Sequence, residues 1–180
     1  VHMSRGLGDV YKRQVEKNIS QFPTKTDIQD CQGLILGPGL VDLYCHSGEP
    51  GFEERETIES LTQASRAGGF TRLAILPDTF PPVDNSAGLA RLQNLATQAT
   101  DKSAFPVLYY WGAITQGVKG EHMTELGELA AMGVVGFADG LPLENLGLLR
   151  RVLEYLKPLN KSVALFCNCL LYTSDAADDW

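Results

Sequence analysis

The sequence predicts an α/β fold made of repeated strand–helix units. Short apolar runs alternate along the chain with longer stretches whose apolar residues recur every three or four positions, and this alternation is typical of a parallel sheet with helical connections. A length of 180 residues, 44% of them hydrophobic, suits one ordinary soluble domain. We therefore expect a single α/β domain, with little structure of other kinds.

Five strands are predicted, in chain order, at 40–46, 72–76, 106–111, 134–138 and 162–166. The first strand is entered through Gly37, Pro38 and Gly39, residues that typically precede a regular element. Each of the five runs is short and apolar, as expected for strands that are buried in a sheet.

Four helices are predicted between these strands, at 54–67, from 86 through 95, at 124–132 and at 146–156. The first carries Ile58 and Leu61 on one face and stops at Gly68–Gly69, because glycine enters the left-handed conformation after a helix without steric cost. Asp84, Asn85 or Ser86 is a candidate cap of the second helix, while Gly133 and Pro158 end the third and fourth.

Composition and charge exclude several classes of protein. The formal net charge of −7 and the sequence pI of about 4.9 argue against a nucleic-acid binder. No apolar run approaches the ~18 residues of a membrane span, and no signal segment opens the chain, so we expect a cytoplasmic protein without a membrane partner. Its four cysteines lack C-x-x-C spacing and are expected to be reduced thiols.

This set of elements suits either an open α/β sheet or the first part of a (β/α)₈ barrel, which needs about 250 residues to close. The chain contains neither G-x-G-x-x-G after a strand nor G-x-x-x-x-G-K-[ST], so nucleotide binding by an open sheet has no support. In either fold, reactive groups gather where the strands end.

The first strand carries polar side chains toward its end. With the two-residue period of a strand, Asp42, Tyr44 and His46 share one face, while Val41, Leu43 and Cys45 share the other. A polar face on an otherwise buried strand requires an explanation. We therefore expect this face to lie in a functional site.

The residues around this strand resemble a known family. Residues 38–53 are similar to Pro-Gly-Leu-Val-Asp-x-His-x-His-x-x-Glu-Pro-Gly-Phe-Glu, the signature of the dihydroorotases, which are cyclic amidohydrolases of pyrimidine biosynthesis. The resemblance continues in order through residues 68–71 (Gly-Gly-Phe-Thr), 76–79 (Leu-Pro-Asp-Thr), 111–117 (Trp-Gly-Ala-Ile-Thr-Gln-Gly) and 136–140 (Gly-Phe-Ala-Asp-Gly). It implies the N-terminal part of a TIM-like metal-dependent hydrolase barrel, truncated after five strands and four helices.

The resemblance also implies a chemistry. Dihydroorotases hydrolyse or form the ring amide of dihydroorotate with one or two zinc ions, so the implied partner is a small molecule, dihydroorotate or carbamoyl aspartate. The later zinc ligands and the catalytic carboxylate of the family lie on strands five, six and eight. This chain is therefore expected to hold no complete catalytic set and to be inactive by itself.

Five positions can be assigned by resemblance. His46 matches a metal ligand, Tyr44 stands where the family has a second histidine ligand, and Asp139 matches a metal-bridging aspartate of some members, although an aspartate before glycine also forms turns. Gly48 and Asp78 stand at the positions of a substrate-binding arginine and asparagine, and both are substituted.

Two nearby acidic residues have open roles. Asp42 either forms a hydrogen bond within the core or orients a metal ligand. Glu49 either pairs with Arg55 or Arg66 or caps the following helix. Neither residue is expected to be catalytic.

These substitutions leave two functions open. One is a dihydroorotase-like enzyme in which Tyr44, Gly48 and Asp78 have new roles. The other is a catalytically inactive homologue that acts as a scaffold for aspartate transcarbamoylase. The loss of a histidine, an arginine and an asparagine from one site favours a decayed site.

Both ends of the sequence differ from the rest. Residues 4–14 and 169–180 resemble translations of the adapters that a transposase adds when DNA is fragmented for sequencing. We therefore expect residues 1–14 and 169–180 to be non-native, residues 15–32 to be a remnant preceding the barrel, and residues 33–168 to be a partial barrel. The alternative is a genuine N-terminal arm and acidic tail.

Overall fold

A computed structural model describes residue 33, residues 37–99 and residues 106–166. The chain divides into two compact units, Val1–Pro38 and Gly39–Trp180. Of the first unit only Gly33, Gly37 and Pro38 are described, so the following account concerns the second. The predictions for residues 1–14, 15–32 and 169–180 lie outside the described residues.

Five parallel strands form one sheet in the order β1-β2-β3-β4-β5. Their bounds are Leu40–Cys45 (β1), Phe70–Ile75 (β2), Val107–Gly112 (β3), Gly136–Phe137 (β4) and Ser162–Val163 (β5). Each strand lies beside its sequence neighbour, as consecutive strands of a (β/α)₈ barrel do. The predicted fold class, the first part of a TIM-like barrel, is confirmed.

Four helices connect the strands, as predicted. Their bounds are Ile58–Ala67 (α1), Ser86–Ala99 (α2), Leu126–Ala131 (α3) and Leu146–Leu156 (α4), and two short 3₁₀ turns lie at Gln116–Val118 and Lys157–Leu159. No helix among the described residues is long and apolar enough to cross a membrane.

Helix α1 begins four residues later than predicted. The Thr57 side chain accepts a hydrogen bond from the Ser60 backbone N–H, and the Ser60 hydroxyl bonds back to the Thr57 N–H, which forms a capping box. The preceding residues form a turn instead, in which the Phe52 N–H donates to Gly48 O at 2.7 Å and the Arg55 N–H to Phe52 O at 2.9 Å. The helix therefore starts at Ile58, directly after the capping residue Thr57.

Helix α3 begins two residues later than predicted, because Thr124 is held by the end of β3. Its N–H donates to Ile114 O and its hydroxyl donates to Ala113 O at 2.7 Å. These bonds fix Thr124 beside the strand and leave Leu126 as the first helical residue. Strands β4 and β5 are shorter than predicted, although both lie where expected.

Apolar side chains pack on both faces of the sheet. The larger cluster joins the sheet to the four helices and includes Leu73, Ile75 and Phe137. A smaller cluster without helix residues contains Ala74, Leu76, Trp111 and Ala138, with Tyr44 and Ala164 against it. Since residues 73 and 74 belong to different clusters, the smaller one lies on the face opposite the helices. This opposite face is the interior side of a barrel.

Strand β1 lies at one edge of the sheet and leaves apolar side chains uncovered. Leu40, Val41 and Leu43 are 53%, 47% and 67% exposed, whereas Cys45, on the helix side, is buried. At the other edge, Leu165 and Phe166 beyond β5 are also about half exposed. Within the described residues, both edges therefore present apolar surface beside strands that have no further pairing partner.

Candidate functional site

The loops that follow the strands are joined by carboxylates. The first loop (residues 46–57) meets the second (76–85) through His46 and Asp78. Asp84 of the second loop accepts a hydrogen bond from the Gly117 N–H of the third loop (113–125) at 2.8 Å. Asp139, directly after β4, binds the start of the third loop. The carboxyl ends of β1 to β4 therefore form one connected site, as in a barrel enzyme.

His46 and Asp78 form a short contact between the first and second loops. His46 Nδ1 lies 2.6 Å from Asp78 Oδ2, although the two residues are 32 positions apart in sequence. The histidine side chain is 55% exposed and the aspartate 24%. An ionised Asp78 accepts from Nδ1–H, and this tautomer leaves Nε2 with a free lone pair. The position that matches an asparagine of the family thus orients His46 through its charge.

Tyr44 lies beside this pair with its ring edge-on to that of His46, the ring centres being 6.1 Å apart. Its Oη atom is buried without a hydrogen-bond partner among the described residues, as is Asp78 Oδ1. Burial, followed by the negative charges of Asp78 and Asp139, raises the pKa of the Tyr44 phenol above its usual value. A neutral hydroxyl and a carboxylate oxygen thus face the site without protein partners.

Asp139 is buried and serves a structural purpose. Its Oδ1 accepts hydrogen bonds from the backbone N–H groups of Ile114 and Thr115, at 2.8 and 3.0 Å, and its Oδ2 accepts from the Thr115 hydroxyl at 2.6 Å. Burial raises the pKa of Asp139, while the bonds from Thr115 and Ile114 oppose this shift. One carboxylate therefore joins the ends of β3 and β4.

The alternation predicted for β1 is confirmed, since Tyr44 packs with the interior cluster and Cys45 with the helix-side cluster. Asp42 forms a local bond, because its Oδ1 accepts from the Tyr44 N–H at 2.9 Å. Of the two roles expected for Asp42, this bond favours hydrogen bonding within the fold, where the carboxylate stabilises the strand itself.

Gly48 is enclosed by its own loop. A Cβ atom at this position would lie 2.4 Å from Glu56 O, 2.7 Å from Phe52 O and 2.8 Å from the Glu56 nitrogen. These are backbone atoms, so no larger side chain fits unless the loop moves. The position that matches an arginine of the family is closed here by the fold of the first loop.

Glu49 caps α1, which was one of its two expected roles. Its Oε2 accepts a hydrogen bond from the Ile58 N–H, the first N–H of the helix, at 2.8 Å. A carboxylate at this end also interacts favourably with the helix dipole. The Glu49 side chain therefore fixes the first loop to α1.

Two residues lie in the site although their sequence context predicts no role for them there. Thr115 holds both oxygens of Asp139, and its membership of the motif at 111–117 was the available signal. Arg55 lines an open pocket of about 200 Å³ together with His46, Ser47, Gly48 and Glu56. Its place in the pocket depends on the turn at 52–56, of which the sequence pattern predicts residues 54–56 to be helical.

The described residues do not fit a zinc ion by themselves. Structural and catalytic zinc sites use three or four nitrogen, sulfur or oxygen ligands. His46 Nδ1 is engaged by Asp78, both Asp139 oxygens accept hydrogen bonds, and Tyr44 offers a neutral phenol. No group of three His, Cys, Asp or Glu side chains within 37–99 and 106–166 is arranged to hold a metal. The ligand roles of His46 and Asp139 stay predictions.

Comparison with known proteins identifies similar chains. The profile of a family described as "Dihydro-orotase-like" matches residues 33–169. A "Probable dihydroorotase-like protein" of Synechocystis sp. is 38% identical over 168 residues, which are 84% of this chain and 38% of the relative. A "Dihydroorotase" of Geobacter metallireducens is 44% identical over 136 residues, 75% of this chain and 31% of the relative. The chain thus spans about a third of the length of these relatives.

Proposed function

Because this chain belongs to the dihydroorotase-like family, we propose that it forms the first part of a cyclic amidohydrolase of pyrimidine biosynthesis, which hydrolyses or forms the ring amide of dihydroorotate. One observation carries the proposal. Tyr44, His46, Asp78 and Asp139, which come from three separate motifs, meet at the carboxyl ends of β1, β2 and β4. This is the edge where barrel enzymes place their reacting groups.

The His46–Asp78 pair gives this site a proton acceptor. With Nδ1–H held by the Asp78 carboxylate, Nε2 of the exposed imidazole is free to take a proton from a water molecule or a substrate N–H. The carboxylate stabilises the imidazolium that results. His46 would therefore act as a base, and Asp78 as the residue that positions it.

The buried polar atoms suit the ring amide of the substrate. The Tyr44 hydroxyl can donate to a carbonyl oxygen, and Asp78 Oδ1 can accept from an N–H group. Burying either atom without a partner costs free energy, so a ligand that supplies both partners is favoured. An amide has one carbonyl oxygen that can accept from Tyr44 and one N–H that can donate to Asp78, so it can supply both partners.

A scaffold for aspartate transcarbamoylase is the second candidate function. The observation that favours it is that the groups expected to bind metal and substrate have structural roles here: Asp139 joins two strand ends, and Gly48 is packed against its own loop. A protein selected for assembly would keep these roles after the chemistry is lost.

The direct test is ring opening of dihydroorotate by the full-length protein, produced in a host that lacks its own dihydroorotase. We expect turnover in the unmodified protein and at least a 100-fold lower kcat in His46→Gln. His122→Gln is the matched control, because His122 lies exposed in the third loop and should leave turnover unchanged. An unmodified protein without turnover that co-purifies with aspartate transcarbamoylase would instead support the scaffold.

A further inference from the structure

The pocket beside the site contains one arginine. It opens at the end of β1 and is lined by His46, Ser47, Gly48, Arg55 and Glu56, with a volume of about 200 Å³. His46, which the proposed function makes the base, lies in its wall, so a ligand in this pocket would touch the reacting group.

Gly48 shapes this pocket through close packing. The 2.7 Å bond from the Phe52 N–H to Gly48 O and the short distances from Gly48 to the Glu56 backbone fold the first loop back on itself. This turn brings Arg55, seven residues later in sequence, to the wall of the pocket in which Gly48 lies. The close packing around Gly48 and the position of Arg55 in the pocket wall therefore both depend on one loop conformation.

The Arg55 guanidinium is available for a ligand. Within the described part of the chain it has no hydrogen bond and no carboxylate within 4 Å, and its one specific contact is with the Phe52 ring, whose centre lies 5.8 Å from Cζ. Phe52 in turn contacts the Phe80 ring of the second loop at 6.4 Å. A stacked arginine is held in place while its N–H groups stay free to bind a planar anion.

We propose that Arg55 binds the carboxylate of the substrate, in place of the side chain that Gly48 does not provide. The inference rests on the proposed function for the identity of the ligand. An arginine forms two parallel hydrogen bonds with a carboxylate, which gives both affinity and orientation. Glu56 lines the same pocket, and its carboxylate would accept an N–H of the ligand and disfavour anions that lack such a donor. The pocket thus selects a carboxylate joined to an amide.

Two ligands that differ in one group test this inference in the full-length protein. Dihydroorotate carries the carboxylate, and dihydrouracil is the same ring without it. We expect the unmodified protein to bind dihydroorotate roughly 10- to 100-fold more tightly than dihydrouracil by calorimetry, and Arg55→Met to remove this preference while leaving dihydrouracil binding within twofold. Arg55→Lys, which keeps the charge but not the two parallel bonds, should show an intermediate preference.

Arg151→Met is the matched control, since it removes the same charge from the exposed surface of α4. The inference is overturned if the unmodified protein does not prefer dihydroorotate over dihydrouracil, if Arg55→Met weakens binding of both ligands equally, or if Arg151→Met has the same effect as Arg55→Met.

Measuring ring opening of dihydroorotate distinguishes the proposal for Arg55 from the proposed amidohydrolase activity. Turnover with an unchanged KM in Arg55→Met would support the amidohydrolase and overturn the role of Arg55. Arg55-dependent binding without turnover would support Arg55 and count against the amidohydrolase.

Discussion

Asp139 shows how a single residue can match a metal-bridging position of a family and still have a structural purpose. Its carboxylate accepts three hydrogen bonds from residues about 25 positions earlier in the sequence. Two of the donors are backbone N–H groups at the end of β3, and a buried N–H without an acceptor is costly. The stability of the site therefore depends on this carboxylate whether or not it also binds a ligand.

Replacing Asp139 should separate these two properties. We expect Asp139→Ala to lower the free energy of unfolding of the full-length protein by about 2–4 kcal/mol, because the N–H groups of Ile114 and Thr115 lose their acceptor. Asp139→Asn keeps an acceptor oxygen and should cost less than about 1.5 kcal/mol. Urea unfolding measures both values. Equal stability of the alanine variant and the unmodified protein would show that Asp139 is not structural.

Cys45 should be unreactive despite its position beside the site. Burial, with smaller effects from Asp42, Glu56 and Asp78, raises the pKa of its thiol from 9.0 to about 11. At pH 8 the thiolate is then roughly 100-fold scarcer than in an unfolded chain. We expect slow alkylation of Cys45 by iodoacetamide, measured by peptide mass spectrometry, and fast alkylation in urea. Similar rates in both states would contradict this expectation.

The same shift fixes the sign of a pH effect on stability. The folded-state pKa of Cys45 lies above the unfolded value of 9.0, so the folded protein holds this proton more tightly. The stabilising contribution of the neutral thiol is complete below pH 9 and is lost as the pH rises through about 11. Alkaline conditions should therefore destabilise the fold around β1.

At the scale of elements, the first loop is held by contacts with α1, with the second loop and within itself. Glu49 caps α1, Phe52 bonds to Gly48, and the Phe80 N–H of the second loop donates to Pro50 O at 2.8 Å. Gly51, at a φ of +104°, lies so close to Phe80 that a Cβ atom would be 2.3 Å from the Phe80 carbonyl oxygen. Both glycines of this loop are needed for close backbone packing.

Gly48→Ala should test this packing. The added methyl group would meet Glu56 O and Phe52 O at 2.4 and 2.7 Å, so we expect a loss of about 1–3 kcal/mol in stability as the loop shifts. Gly69→Ala is a contrasting variant, since position 69 is strained by its φ of +79° but has open space around it. Gly48→Ala should displace Arg55 and abolish the preference for dihydroorotate over dihydrouracil, whereas Gly69→Ala should not. An unchanged preference in Gly48→Ala would contradict the loop argument.

The existence and order of the strands and helices follow from local patterns, and all nine elements lie where the sequence predicts them. Their boundaries were less predictable. The starts of α1 and α3 depend on bonds that Thr57 and Thr124 make, and the bond of Thr124 to Ala113 joins residues 11 positions apart. Hydrophobic periodicity carries no information about such bonds, so it extends the predicted helix over 54–57, which the structure shows to be non-helical.

At the scale of the whole molecule, the two sheet edges dominate the expected behaviour. Apolar surface is presented by Leu40, Val41 and Leu43 of β1 and by Leu165 and Phe166 beyond β5, next to backbone groups that have no neighbouring strand among residues 37–99 and 106–166. Such edges promote association between chains. The relatives, roughly two and a half times as long, have further chain to cover them.

We therefore expect the 180-residue chain, produced alone, to be aggregated or molten. Size-exclusion chromatography should show large species, and amide NMR signals should be broad and poorly dispersed. A dispersed spectrum with cooperative, reversible unfolding would contradict this expectation. It would show that the buried core around Leu73, Ile75 and Phe137 is sufficient without further strands.

The sequence by itself determined the α/β order, the two faces of β1 and, through motifs at four strand ends, the family. These features depend on spacing along the chain, which the sequence displays directly. Tertiary structure alone decided that Asp78 binds His46 and that Asp139 accepts the N–H groups of Ile114 and Thr115. It also decided that Arg55 lines the pocket and that backbone atoms leave no room for a side chain at Gly48. The two aspartate contacts join residues 24 to 32 positions apart, and the placement of Arg55 depends on the backbone path of one loop. Both require the packed fold, because residue type and local spacing do not specify which side chains meet.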